Sequence, residues 1–216
     1  RDVPGALSDD AAAAYRAIPQ ADSIVVDPHK HGLQPYGCGC VLFADPRVGR
    51  HYRHDSPYTY FTSDTLHLGE ISLECSRAGA AAGALWLTTQ VLPLQPDRGF
   101  GPILHGCTRA AQTFADAVRA SEELTLVADP MLDIVCYHPS RPTASEVDRA
   151  SLAVHRALME MPDPIHLSLL RRPSDLLAVT ADAPDATILR SVLMKPEHEE
   201  IAVELVRRIA AVAASV

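Results

Sequence analysis

No stretch of the chain approaches about 18 uninterrupted apolar residues, so a hydrophobic membrane-spanning helix is excluded. Basic residues are in short supply. Nineteen Lys+Arg against 27 Asp+Glu leave a formal charge of −8 over 216 residues. A general nucleic-acid binder needs a basic face, so that class of partner is excluded as well. Cysteines are too few and too scattered for a disulfide framework. There are five, an odd number, and only Cys38 and Cys40 lie close together. Zinc sites normally place two residues between ligands and add a second ligand pair, which this chain lacks, so no metal is expected. Reduced, buried thiols are expected instead, in keeping with a cytoplasmic location. The first residues, Arg-Asp-Val-Pro-Gly, show no basic region leading into an apolar stretch, so no secretion signal is expected. What remains is a globular composition, 47% hydrophobic and 21% charged.

No internal repeat or low-complexity tract is present, though 17 prolines punctuate the chain. Residues 9–18 read as an acid-capped helix. Strands are expected at Ala21–Val26 and Gly37–Phe43, the second placing Cys38 and Cys40 on one face. Residues 44–69 are polar, aromatic and poorly periodic, which predicts a long loop of the kind that often carries function. An Ala-rich helix is expected from about Glu70 to Leu92. The Pro-rich stretch from Leu92 to Gly99 breaks it and is the expected domain boundary. Beyond it come a helix at 102–121, strands at Leu124–Ala128 and Leu132–His138, and a helix near 145–160. Strands near Ile165–Leu170 and Ala186–Met194 and a last helix at Glu197–Ala214 complete the reading. In that last helix Ile201, Leu205, Val206 and Ile209 are expected on one face. Intermixed helices and strands define an α/β or α+β class.

The informative segment is Ala21-Asp22-Ser23-Ile24-Val25-Val26-Asp27-Pro28-His29-Lys30. A strand delivers a lysine into a turn, directly after a histidine and a rigid proline. A lysine acts as a nucleophile only when some of it is neutral, which desolvation or a nearby cation brings about. A strand end beside a cleft meets that need. Its natural use is a Schiff base with a carbonyl, such as the aldehyde of pyridoxal phosphate.

The whole string, Asp-Ser-x-x-x-Asp-Pro-His-Lys with Pro-Tyr-Gly-Cys-Gly after it, resembles the group II pyridoxal-phosphate-dependent amino-acid decarboxylases. These include the aromatic-amino-acid, tyrosine and glutamate decarboxylases. The likeness continues through Leu73-Glu74-Cys75-Ser76-Arg77-Ala78-Gly79, Leu132–Tyr137 and Ile188–Met194. It implies a fold-type-I α/β arrangement. Residues 1–98 would end the large cofactor domain, and residues 99–216 would form the small C-terminal domain.

Carried over to this sequence, the resemblance makes Lys30 the lysine bound to pyridoxal 5'-phosphate and His29 the histidine beside the cofactor phosphate. The family's mobile loop matches residues 54–61, where Tyr58, with Tyr60 as fallback, would supply the proton after carbon dioxide leaves. Arg190 lies where glutamate decarboxylases place an arginine near the substrate carboxylate, and a guanidinium can grip a carboxylate with two parallel hydrogen bonds. A structural ion pair is the plainer role for Arg190, a loop histidine bonded to backbone the plainer one for His29, and a packed aromatic that for Tyr58. Arg77 would anchor an interface or neighbouring loop, and His31 would line the site or face solvent. His51 and His54 have helical metal-ligand spacing but no third ligand in view.

The family's pyridine-nitrogen Asp, ring-stacking His and phosphate-gripping loop lie upstream of the lysine, and only 29 residues precede Lys30 here. The resemblance therefore implies a C-terminal half, working with a complementing N-terminal half and as a dimer of the complete unit. The substrate would be an L-amino acid. The Pro35-Tyr36-Gly37 stretch and the Tyr-rich loop favour an aromatic one. Two alternatives stand beside simple decarboxylation: oxidative deamination giving an aldehyde, and a non-catalytic subunit that keeps the fold.

Overall fold

The computed structural model describes residues 7–53 and 78–216. Two compact units make up the chain, one formed by Ala12–Leu94 and the other by Gln95–Val216 with Arg1–Ala11. Helix α1 spans Asp9–Ala17, with Asp9 and Asp10 at the positive end of its dipole.

Within Ala12–Leu94, strands β1 (Ser23–Val26) and β2 (Cys40–Phe43) pair antiparallel, Ser23 opposite Phe43 and Val26 opposite Cys40. Their β-branched and aromatic residues suit a pleated surface. Apolar side chains occupy successive positions rather than alternate ones, so both faces are apolar. Val25, at 70% exposure, and Val26, Val41, Leu42 and Phe43 are all exposed. Such runs belong to strands covered on both sides. Gly37 adopts φ +94° and β2 begins only at Cys40. Cys38 therefore lies ahead of the strand, buried, while Cys40 is half-exposed within it. The expected common strand face for the two thiols does not exist. Helix α2 covers Ala80–Val91, and the portion expected over residues 70–77 lies outside the described residues. Part of the expected long loop is a 3₁₀ turn, Pro46–His51, whose N-cap Asp45 accepts hydrogen bonds from the backbone and guanidinium of Arg47.

In the second unit, helix α3 (Phe100–Arg119) precedes strands β3 (Leu124–Leu126) and β4 (Ile134–Pro139). Helix α4 (Ala144–Met159), strands β5 (Ser168–Pro173) and β6 (Asp185–Val192) and helix α5 (His198–Ala213) complete it. The sheet order is β3-β4-β6-β5, antiparallel throughout. Cys107, Ala110, Ala111, Phe114, Ala115 and Val118 recur at helical spacing and bury one stripe of α3. All but Cys107 share a core with Val135, Tyr137, Leu189, Val206 and Ile209.

On α5 the buried stripe is Ala202, Val206, Ile209 and Ala213, whereas Ile201 is 47% exposed. Ala202 and Ala213 there flank the larger Val206 and Ile209, all in one core with α3. Just ahead of α5 the chain passes close to α3: a Cβ on Gly106 would lie 2.8 Å from Pro196 Cβ. Strand β5 starts three residues after the expected Ile165, because Ile165 serves the core from a loop. Its backbone N–H donates to Leu158 O at 3.2 Å, and its side chain is buried. Thr143 caps α4, accepting from Glu146 N and donating its hydroxyl to Glu146 Oε2.

Candidate active site

Strand β1 leads into Asp27-Pro28-His29-Lys30, and a web of backbone hydrogen bonds shapes the turn that these residues open. Lys30 N donates to Asp27 O at 3.0 Å, Leu33 N to Lys30 O at 3.3 Å and Gln34 N to Pro28 O at 3.1 Å. Gly32 crosses Pro28 so closely that a Cβ would meet Pro28 O at 2.6 Å, so only glycine fits. Pro28 is buried, His29 half-buried and Lys30 exposed.

His29 is held from two sides. Its backbone N–H and its ring Nδ1 both donate to Cys38 O, at 3.3 Å and 3.1 Å, and its ring stacks on Tyr36 with centroids 5.3 Å apart. With Nδ1 committed to a carbonyl, Nε2 is the nitrogen left to meet an anion, and it donates only from the doubly protonated ring.

Among the described residues nothing desolvates the amine of Lys30, where the sequence suggests a lysine beside a cleft. Its side chain is 62% exposed, and Nζ lies 2.8 Å from Asp27 Oδ2. The reason is architectural: β1 and β2 carry no covering layer among the described residues, so no apolar wall stands around the strand end. Hydrogen bonding from Lys30 holds the Asp27 carboxyl below the usual carboxylate range, against a small opposing effect of burial.

Arg190 lies in β6, opposite Cys136 on β4 and Ser168 on β5, so these three side chains share a sheet face. It is half-buried, and its Nε is buried without a hydrogen-bond partner among the described residues. An orphaned guanidinium N–H is expensive unless something accepts from it. The plainer ion-pair role thus finds no acid within the described chain. Burial raises the neighbouring Cys136 thiol, and Arg190 and Arg172 work in the opposite direction.

Lys30 and His29 share one turn, whereas Arg190 belongs to the other unit. Tyr58, Tyr60, His54 and Arg77 lie outside the described residues. Gln34 is absent from the sequence-based set, and Asp27 and Tyr36 enter it only as members of longer strings, with no contact assigned to either. The Asp-to-Lys spacing of three within a turn is a signal that could have found Asp27; nothing local announces the other two.

A pyridoxal phosphate site needs a reachable primary amine on a fixed backbone, a donor for the phosphate, and walls. The turn fits the first two requirements through Lys30 and His29; the walls must come from beyond this turn.

Residues 5–139 match the family described as the pyridoxal-dependent decarboxylase conserved domain. The L-tyrosine decarboxylase of Enterococcus faecium is 36% identical over 104 residues, covering 47% of this chain and 17% of that protein. Among solved structures, Oryza sativa TDC with PLP and tryptamine superposes with a TM-score of 0.72 at 16% identity, covering 94% of this chain and 41% of that one. Rhodiola rosea 4-hydroxyphenylacetaldehyde synthase gives 0.72 at 14% identity, covering 96% and 40%. The fold is thus that of the fold-type-I pyridoxal-phosphate enzymes. The chain belongs to the pyridoxal-dependent decarboxylase family, whose cofactor is pyridoxal 5'-phosphate. It spans about two fifths of the length of these solved relatives.

Proposed function

We propose that this chain is the C-terminal portion of an amino-acid decarboxylase that converts an L-amino acid, aromatic by the likeness of its relatives, to the amine and carbon dioxide. The observation that carries the proposal is the Asp27–Gln34 turn: an exposed primary amine on a braced backbone, next to a histidine held by a carbonyl and an aromatic ring. When bound, the cofactor supplies an electron sink for the bond that breaks as carbon dioxide leaves.

The chain's own residues do the remainder. Lys30 would hold the cofactor by its aldehyde carbon, with Nζ first passing its proton to solvent and the aldehyde oxygen leaving as water. His29 donates from Nε2 to the phosphate. Arg190 holds the substrate carboxylate in a planar grip, which the unpartnered Nε favours. Tyr58 Oη gives a proton to the carbon that lost carbon dioxide.

The two compact units correspond, in this proposal, to the end of the large domain and the small domain. A complementing N-terminal half covers both faces of β1 and β2 and supplies the missing walls, and the complete unit works as a dimer in the cytoplasm. Strands apolar on both faces, with no covering layer among the described residues, support this, since such surface is seldom left open to water.

The test combines the chain with the N-terminal portion of a tyrosine decarboxylase relative and assays amine and carbon dioxide from a panel of amino acids. Lys30→Ala abolishes both products, and Tyr58→Phe lowers turnover about 10²–10⁴-fold. Turnover that survives Lys30→Ala overturns the proposal. An aldehyde in place of the amine assigns the oxidative branch, which the same fold supports in the Rhodiola enzyme.

A further inference from the structure

The lysine turn contains a residue whose burial the decarboxylase chemistry does not by itself explain. Gln34 is only 8% exposed although its side chain is polar. Its Nε2 donates to Gly32 O at 3.1 Å and to Thr88 Oγ1 on α2 at 2.8 Å. The second bond ties the segment just after Lys30 to a helix more than fifty positions away in sequence. Between the two anchored residues, Leu33 adopts φ +57° and exposes its side chain. A left-handed backbone is uncommon for a residue with a side chain, and it persists only where its surroundings over-determine it. The surroundings here are Gly32 wedged over Pro28 on one side and the Gln34 amide on the other. Lys30 O receives the Leu33 N–H, so the lysine's own peptide unit belongs to the same constrained loop.

We infer that Gln34, through its hydrogen bond to Thr88, is a positioning residue for the Lys30 amine. The amide clamps the turn in a conformation that Leu33 would otherwise relax, and that clamp fixes where the lysine stem starts and which way it leaves the backbone. The inference rests on the proposed attachment of the cofactor to Lys30. Lysine has four rotatable bonds, so an error of orientation at its root multiplies along the stem, and placement of reacting groups governs rate steeply.

Three variants test it: Gln34→Leu and Thr88→Val, each close in shape to the native residue, and Thr88→Ser, which keeps the accepting hydroxyl. In the chain itself, amide hydrogen exchange of Leu33 and Gln34 is expected to rise about tenfold in the first two and stay near wild type in Thr88→Ser. With the complementing half added, borohydride trapping of pyridoxal phosphate on Lys30, read by peptide mass, should slow about fivefold or more in the first two variants. Turnover number should fall by a similar factor, KM should stay within about twofold, and Thr88→Ser should match wild type. Circular dichroism confirms that each variant is folded; if Gln34→Leu is not, Thr88→Val alone decides. Unchanged exchange overturns the clamp. Faster exchange with unchanged trapping and turnover overturns the positioning role. Absence of any adduct on Lys30 in the wild-type assembly overturns the cofactor assignment itself, and the inference with it.

Discussion

Lys30 Nζ lies 2.8 Å from Asp27 Oδ2, three residues earlier in the same turn. Lys30 is largely open to water and Asp27 partly so, and such a solvent-exposed pair adds little to stability. Its effect is on charge: the ammonium keeps the Asp27 carboxyl ionised further into acid than an ordinary aspartate.

Lys30→Met is therefore expected to raise the Asp27 titration midpoint toward the ordinary aspartate value, as followed by carbonyl-carbon NMR. Thermal stability should be unchanged within error. An Asp27 midpoint that stays where it was would show that another group depresses it.

In the sheet interior, Tyr137 Oη and Ser191 Oγ are 2.9 Å apart and buried. Burial raises the Tyr137 phenol far above its ordinary range, so it remains protonated at any pH the fold survives. Tyr137→Phe leaves Ser191 Oγ without its partner and should cost about 1–2 kcal/mol in urea unfolding. Adding Ser191→Ala removes the orphan, and the double variant should recover part of the loss. Strict additivity of the two changes would show that the hydroxyls do not act as a pair.

Acid sensitivity has a named contributor. Asp148 on α4 accepts the Thr187 N–H at 2.8 Å, and hydrogen bonding from Thr187 is the main reason its carboxyl lies below 3.8. A depressed folded value means that the stabilisation is complete above the unfolded value. It is lost as pH falls through the folded one. Asp148→Asn should weaken the fold at about pH 6 by up to about 1 kcal/mol, and the two stability curves should converge in acid as the Asp148 carboxyl takes up its proton. Parallel curves across that range would exclude Asp148 as the titrating group.

The Cys107 thiol is pushed up to about 11 by burial, with Asp133 and Glu197 adding to the effect. Only the thiolate alkylates, and it is about a hundredfold scarcer at neutral pH than in a thiol of ordinary value. Iodoacetamide should leave Cys107 unmodified in the folded chain while half-exposed Cys40 reacts. Urea should bring the two to comparable rates, as read by peptide mass mapping.

How far the sequence alone reached depended on whether a residue answers to its neighbours in the chain or across it. The stripe from Cys107 to Val118 announces α3, because its burial keeps helical period within one segment. The Asp-Pro-His-Lys string announces the turn for the same reason. Ile165 looks like a strand start and is instead a loop residue buried in the core, a choice made by tertiary packing. Ile201 looks inward by its chemistry, yet α5 turns Ala202, Val206, Ile209 and Ala213 to the core instead. At the site, the identity of Lys30 was legible but its exposure was not, since a desolvating wall is a property of other segments. Gln34 was illegible altogether. Its meaning depends on Thr88, and nothing near position 34 points there.

Every large, fully buried side chain among the described residues belongs to Gln95–Val216, from Phe114 to Ile209. Among its described residues Ala12–Leu94 has none, so the two stretches differ in what each can close upon as a ribosome releases it. The segment bearing Lys30 precedes the other in the chain and shows no such interior among its described residues, while the later one can collapse on its own leucines and valines. With Val25, Val41 and Leu42 exposed, the earlier stretch is the one expected to need shielding during synthesis.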